Sequence, residues 1–277
     1  MLNILIIVFV IFIIYLFLKK NEYFTDMTFD YKYKFFDKND TITFFINDND
    51  NYLKNLNTYD IKALDSTSQS DYLNKSIADA QNFTKAEKEK LTTACKEADN
   101  FFRTKLNIKH VDNNILANMP WILAKTTGKY YEEGYPHTRN NIIFITENVI
   151  NSQMKHLIRV LIHEKVHIYS RLYPELMQKW NNYHGFKRYK RLKDYKYVRS
   201  NPDLDDWIYT DKFGKELLAS FKNENPTGID DATYTYNNHD GYMAEAPNEI
   251  LAYYVDYTYA NEKFPYLFLL NEDSDKN

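Results

Sequence analysis

Apolar positions with a helical repeat first become clear after residue 83. Residues 84–87 have the form of a helix capping box, and Leu91, Cys95 and Ala98 then recur on one face. This pattern predicts a helix from Thr84 to about Arg103. Cys95 falls on its buried face, so we interpret this cysteine as a small core residue.

Two runs rich in strand-forming residues follow this helix and lead into a second one. Trp121–Ala124 and Asn141–Thr146 are separated by glycine, proline and charged residues, which predicts two neighbouring strands of one sheet. A helix is predicted to begin near Ser152, because apolar residues recur there at helical spacing. Its apolar stripe comprises Leu157, Ile158, Leu161, Ile162 and Val166. Further helices are predicted from Pro174 to about Tyr183 and from Pro247 to about Tyr259.

The beginning of the chain has a different pattern, that of a membrane anchor. Leu2–Leu18 contains no charged residue and is followed at once by Lys19 and Lys20. At about 1.5 Å per residue this run spans roughly 25 Å, near the lower limit for a helix that crosses a bilayer. The charges follow the run and no small-residue cleavage site comes after it, which favours an uncleaved single-pass anchor over a signal peptide. The positive-inside rule then places the soluble domain on the cytoplasmic side.

These patterns divide the chain into four parts. We interpret residues 1–20 as the anchor, 21–83 as a stalk or N-terminal region, 84–270 as the main folded domain and 271–277 as a disordered polar tail. Within the second part, Thr41–Ile46 resembles a short strand. The mixture of strands and helices in the main domain predicts an α+β fold.

Composition and charge exclude several classes of function. A net charge of -3 leaves no overall field that would attract nucleic acid. We interpret the basic and aromatic run Lys187–Arg199 as a solvated face. Cys95 is the only cysteine of the sequence, so neither an intrachain disulfide nor a cysteine-ligated metal site can form. Any metal ion must therefore be held by histidines and carboxylates.

The chemistry of the chain is predicted by the motif His163-Glu164-Lys165-Val166-His167 on the second helix. Two histidines four positions apart on a helix point the same way, at a spacing that one metal ion can bridge. One Zn²⁺ accepts two histidine nitrogens and a carboxylate oxygen and keeps a position for water. Glu164 lies beside the histidines and would act as the general base towards that water.

A third ligand is needed, and the sequence restricts the choice. Metzincins have glycine and histidine three and six residues after the second histidine, where this chain has Ser170 and Tyr173, so that class is excluded. The segment 246–252 contains Asn-Glu-x-x-Ala and resembles the glutamate-bearing helix of part of the gluzincin metallopeptidases. We expect Glu249 to be the ligand and Glu245 to be the second choice. Less favoured candidates are Glu216, Glu224 and His184.

The resemblance to gluzincins covers about Trp121 to Tyr259. It implies a zincin-like domain, in which a small sheet carries an active-site helix and a later ligand-bearing helix, behind the transmembrane segment. It also implies a strand edge that aligns a peptide beside the motif helix, for which 141–146 is the matching segment by order. Tyr253 stands where several families have an aspartate that orients a zinc-bound histidine, and Asp256 is a substitute on the same face.

The resulting hypothesis is a membrane-anchored zinc metalloendopeptidase that hydrolyses peptide or protein substrates. Its metal ligands are His163, His167 and Glu249. The donors considered for the developing oxyanion are Tyr253, His239 and Tyr242. The alternative is a membrane-tethered binding or structural protein that keeps a metallopeptidase fold without turnover.

Overall fold

The computed structural model describes residues 32–200, 205–237 and 243–271. Its described residues from Tyr33 onward belong to one compact unit. The helices are α1 (Lys38–Asn47), α2 (Tyr52–Asn55), α3 (Thr58–Ala63), α4 (Gln69–Asp79), α5 (Lys85–Thr104), α6 (Asn113–Asn118), α7 (Glu147–Asn151), α8 (Met154–Leu172), α9 (Pro174–His184) and α10 (Pro247–Ala260). The strands are β1 (Tyr33–Phe35), β2 (Ala80–Gln81), β3 (Trp121–Thr126), β4 (His137–Arg139), β5 (Ile142–Thr146), β6 (Lys187–Arg191), β7 (Trp207–Thr210), β8 (Glu216–Leu217), β9 (Ala219–Phe221), β10 (Ala232–Tyr234), β11 (Tyr236–Asn237) and β12 (Met243–Ala244). The fold is of the mixed α+β type with several sheets.

The largest sheet has the strand order β1-β3-β5-β4, and β2 also pairs with β3. β3 and β5 are neighbouring strands, as the two apolar runs predicted, and the structure shows that they are parallel, with Ile122 opposite Ile142. The expectation that 141–146 forms the strand edge was wrong, because β5 lies between β3 and β4. β4 is the outer strand instead, antiparallel to β5. Its short polar sequence gave no alternating pattern from which a strand is predicted.

The predicted helices form, and they bury the faces that their sequences indicated. Thr84 caps α5 through the expected capping box with Glu87, and Cys95 is fully buried. The apolar stripe of α8 packs into the same core cluster as β3 and β5. Lys165, inside the histidine motif, points into this core, where Nζ lies 3.2 Å from Asp99 Oδ1 and 3.7 Å from the centre of the Trp121 ring. This buried ion pair and cation–π contact fix the rotation of α8 about its axis.

Residues 33–83 contribute to the same compact unit, although their sequence suggested a stalk with some local structure. β1 pairs with β3 in the largest sheet. Thr41–Ile46, expected to be a strand, lies in the helix α1. Asp37 caps this helix through a capping box with Asp40, so local hydrogen bonds outweigh the strand propensity of the β-branched and aromatic residues.

The region after α9 contains short strands and loops, as expected from its prolines and glycines. β6, β7 and β8 form one three-stranded sheet, while β9 pairs with β10 and β11 pairs with β12. All five residues of the basic strand β6 are exposed, in agreement with a solvated face. This region supplies part of the wall of the candidate site described below.

Within the residues that the structure describes, no helix is both long enough and apolar enough to cross a membrane. The proposed anchor at 2–18 lies outside these residues, as do the candidate donors His239 and Tyr242 and all but the first residue of the tail 271–277.

Candidate metal centre

The structure brings the three predicted ligands together at the contact between α8 and α10. His163 and His167 lie one turn apart on α8, on the face that meets α10. Pro247 occupies the first turn of α10, where its fixed backbone and missing N–H are tolerated, and Glu249 follows in the same turn. His163, His167 and Glu249 thus form a group that can hold a metal ion.

The distances within this group fit a tetrahedral zinc site. The two Nε2 atoms of His163 and His167 are 3.0 Å apart. Glu249 Oε1 lies 3.2 Å from His167 Nε2, and Glu249 Oε2 lies 3.5 Å from His163 Nε2. Two ligands bound at about 2.0–2.1 Å in tetrahedral geometry are roughly 3.3 Å apart. The three side chains therefore present their donor atoms at the separation that one zinc ion requires.

Electrostatics at this site favour a positive charge. Burial opposes protonation of His163, but hydrogen bonding to Asp256 and Glu249 outweighs it and holds the pKa of His163 well above its ordinary value. Burial, together with the charges of His163 and Arg171, lowers the pKa of His167 to about 4. Burial also opposes ionisation of Glu249, yet the two histidines lower its pKa to about 2. The carboxylates of Asp256 and Glu249 thus stabilise positive charge where the three side chains converge.

Asp256 lies beside the ring nitrogen of His163 that is turned away from Glu249. Asp256 Oδ2 lies 3.6 Å from His163 Nδ1, and its other oxygen accepts a 2.8 Å hydrogen bond from Arg159. Carboxylates in this position orient metal-binding histidines and raise their basicity. Asp256 therefore lies beside a histidine of the metal group, as expected if it substitutes for the aspartate that is absent at position 253. Tyr253 packs its ring against His163 instead, with ring centres 4.6 Å apart.

Glu164 lines a cavity of about 140 Å³ together with the three members of the metal group. Glu164 as a whole residue is only 6% exposed to solvent. Tyr253 and Glu245 line the same cavity, but Glu245 is outside the metal group. The expected general base, the expected ligands and one of the expected oxyanion donors therefore line one open cavity.

Several residues of this cavity were not identified from the sequence, and Arg199 and Tyr234 are among them. Arg199 stands at the end of the run that we interpreted as a solvated face, and nothing in its neighbourhood indicates a turn into a cavity. Tyr234 belongs to the short strand β10 and has no motif around it. Only the packing of the loops after α9 brings them to the metal group.

The three less favoured ligand candidates make hydrogen bonds to other parts of the chain. Tyr195 donates a hydrogen bond to the Glu216 carboxylate. His184 Nδ1 accepts a 2.9 Å hydrogen bond from the backbone N–H of Asn271. The backbone carbonyl of Glu224 accepts a hydrogen bond from Lys62, 2.7 Å long. None of these three residues belongs to the described group that can hold a metal ion.

A larger cleft of about 360 Å³ adjoins the metal centre at His167, which lines both spaces. Its walls include Ser170, Pro174 and Asn181 from α8 and α9, and Pro247 from the start of α10. The segment around β4 borders both spaces, with His137 at the smaller and Asn140 at the larger. The two spaces therefore form neighbouring compartments along the outer strand of the sheet.

Comparisons with protein-family models, with curated proteins and with solved structures found no match for this chain.

Proposed function

We propose that this protein is a zinc-dependent metallopeptidase of the gluzincin type, with His163, His167 and Glu249 as metal ligands and Glu164 as general base. The single observation that carries this proposal is the convergence of both Nε2 atoms and the Glu249 carboxylate at 3.0–3.5 Å from one another. Two nitrogen donors and one carboxylate are the ligand set of a catalytic rather than a structural zinc site.

When bound, zinc in such a site acts as a Lewis acid on a carbonyl group and lowers the pKa of water. Glu164 is proposed to take a proton from the attacking water and to pass it to the nitrogen of the leaving amine. The place of Glu164 among the residues that line the cavity of the metal group supports this role. Asp256 is proposed to keep His163 in one orientation and tautomer.

Tyr253 is the proposed donor to the negative charge that develops on the carbonyl oxygen. It lines the cavity of the metal group and lies against His163. Preorganised donors of this kind stabilise a tetrahedral transition state without reorganisation. The peptide itself is proposed to lie in the cleft of about 360 Å³ beside His167.

We also propose that the chain is tethered to a membrane by residues 2–18 and that its folded unit acts on peptides or proteins on the cytoplasmic side. The uncharged run and the lysines that follow it support this location. The net charge of -3 supports a function without nucleic acid.

The test compares the full-length protein with its Glu164→Gln variant. Zinc content is measured by elemental mass spectrometry after exhaustive dialysis, and hydrolysis is followed by mass spectrometry on a pool of unrelated peptides. We expect about one zinc ion per chain in both proteins and a loss of hydrolysis of at least about 100-fold in the variant, since general base catalysis is worth that much. Glu175→Gln, an exposed residue on α9, is the matched control.

Hydrolysis that persists in Glu164→Gln would overturn the mechanism. A parent that retains zinc but cleaves no peptide would instead support the tethered binding protein with a metallopeptidase fold. A correctly folded parent without zinc would refute both.

A further inference from the structure

Arg199 and Tyr234 form a linked pair of donors at the wall of the metal cavity. Arg199 Nη1 donates a 2.9 Å hydrogen bond to the phenol oxygen of Tyr234, and both side chains line the cavity. Because that oxygen accepts the bond from Arg199, the phenol hydrogen is left to donate elsewhere.

The backbone of both Arg199 and Tyr234 contacts one residue of β9, Ala219. The N–H of Arg199 donates to the carbonyl of Ala219 over 3.0 Å, and Tyr234 is the antiparallel partner of Ala219 in the β9–β10 ladder. The carbonyl of Val198 accepts a 2.8 Å bond from Asn57 Nδ2. Tyr234 thus lies on a strand, and Arg199 directly follows the isolated bridge between Val198 and Ser220, so both are held by backbone contacts with β9.

Both groups keep their protons at neutral pH. Burial opposes the charge of Arg199, but the surrounding Tyr234, Glu245 and Glu132 keep the pKa of its guanidinium well above the ordinary value. Burial raises the pKa of Tyr234 to about 12, against the lowering effect of Arg199. The wall therefore presents a guanidinium donor and a phenol donor side by side.

We propose that Arg199 and Tyr234 bind a carboxylate of the substrate close to the scissile bond, an inference that rests on the proposed peptidase function. A planar guanidinium matches a carboxylate in shape and charge, and the phenol adds a further donor. The cavity of about 140 Å³ has room for a chain end or a short side chain, whereas the adjoining cleft of about 360 Å³ takes the rest of the peptide. The carboxylate is supplied either by the C-terminus of a peptide or by an aspartate or glutamate side chain.

The experiment measures peptide binding to the full-length, zinc-loaded Glu164→Gln variant, so that no turnover is needed. The probes are four versions of one pooled set of acetylated hexapeptides, which carry either a free C-terminal carboxylate or an amide and contain either glutamate or glutamine. We expect one carboxylate-bearing version to bind about 10- to 100-fold more tightly than its amide counterpart, as charge-assisted hydrogen bonds do. Preference for the free C-terminus identifies the chain end as the source, and preference for glutamate identifies the side chain.

Replacement of the donors assigns the preference to this pair. Arg199→Met in the same background should abolish the preference, and Tyr234→Phe should reduce it about 3- to 10-fold, as expected for the loss of one hydrogen bond. Arg191→Met, on the exposed strand β6, is the matched control and should retain it. Zinc content and thermal unfolding of each variant show that the site is intact, and Arg199→Lys keeps the charge if Arg199→Met does not fold.

The inference is overturned if no carboxylate-bearing peptide is preferred, or if the preference survives in Arg199→Met, since the carboxylate would then be held by the metal or elsewhere. These results differ from a failure of the proposed function. A carboxylate preference that depends on Arg199 in a protein that never hydrolyses peptides would refute the peptidase and keep the binding site. Hydrolysis without any carboxylate preference would instead refute the binding site and keep the peptidase.

Discussion

The metal centre and the cluster around Arg139 are both buried groups of charged side chains beside the outer strand β4, but they differ in whether their members satisfy one another. Arg139 donates two hydrogen bonds to Asp50, of 3.0 and 2.6 Å, and a third of 2.7 Å to Asp48. Its guanidinium also lies over the rings of Phe44 and Tyr52, at 4.9 and 4.5 Å. Donors and acceptors are matched, so this cluster needs no further partner.

The metal centre is built from groups of the opposite kind. His163, His167 and Glu249 bring one possible ligand atom each to within 4.8 Å of one another, and the Nδ1 atom of His167 is buried without a hydrogen-bond partner among the described residues. Lone pairs at 3.0–3.5 Å repel one another unless a proton or a cation lies between them. The Arg139 cluster is closed, since its donors and acceptors are matched, and it therefore stabilises the fold. The metal centre is an open cluster, since it still requires a cation, and it is organised for binding.

The largest effect is expected when a member of the open cluster is removed. Glu249→Ala should weaken zinc binding by at least about 100-fold, because one of three protein ligands contributes several of the roughly 10 kcal/mol of a zinc site. Competition with a fluorescent chelator measures the affinity. Glu245→Ala, which removes the second-choice ligand in the same cavity, should keep zinc. If Glu245→Ala lost zinc and Glu249→Ala kept it, Glu245 rather than Glu249 would be the metal ligand.

Removing the cation of the closed cluster should instead affect stability. Arg139→Met leaves Asp48 and Asp50 without their counter-charge, and breaking such a pair is expected to reduce the free energy of unfolding by about 3 kcal/mol. The lower end of the usual range applies because each aspartate side chain is 17% exposed. Urea unfolding measures the loss, and zinc per folded chain should not change. A loss of zinc without a loss of stability would contradict the comparison.

A smaller effect is expected from the carboxylate that orients the first histidine. Asp256→Asn keeps the size of the side chain and an acceptor for Arg159, but removes the charge 3.6 Å from His163 Nδ1. Zinc affinity should fall about 10- to 100-fold, as for other carboxylates that support a metal-bound histidine. The same chelator competition tests this, with His156→Ala, exposed on the same helix, as control. An unchanged affinity would show that Asp256 serves only Arg159.

The smallest effect is a dependence of stability on pH at Asp50. Burial opposes its ionisation, but the hydrogen bond and charge of Arg139 outweigh burial and lower the pKa of Asp50 below 3.8. The stabilisation is therefore fully present above the unfolded-state pKa and is lost as pH falls through the folded-state value. Asp50→Asn should lower the free energy of unfolding by about 1 kcal/mol at pH 7. The difference from the parent should shrink below about pH 4, and a constant difference down to pH 2 would contradict this account.

The sequence predicted the elements of the fold best where an apolar repeat was long. The twenty residues of α5 and the nineteen of α8 carry enough repeats to specify a buried face. The short elements were missed for the same reason, since β4 has three residues and offers no period. α1 was mistaken for a strand because its capping box stabilises the helix against the propensity of its residues.

The candidate site was predictable only as far as it is local in sequence. His163 and His167 are positioned by one helix, whose geometry follows from their spacing. Glu249 required a resemblance to a known motif, because no spacing rule links two helices far apart in the chain. Arg199 and Tyr234 had no motif at all and are placed at the cavity by their backbone contacts with Ala219 of β9.

By itself the sequence determined the helices with strong repeats, the two neighbouring strands and the histidine motif, because each depends largely on residues a few positions away. Only the tertiary structure decided which strand lies at the sheet edge, which acidic residue meets the histidines and which side chains close the cavity. Those choices depend on contacts between segments distant in the chain, where packing and charge compensation, rather than local propensity, set the free energy.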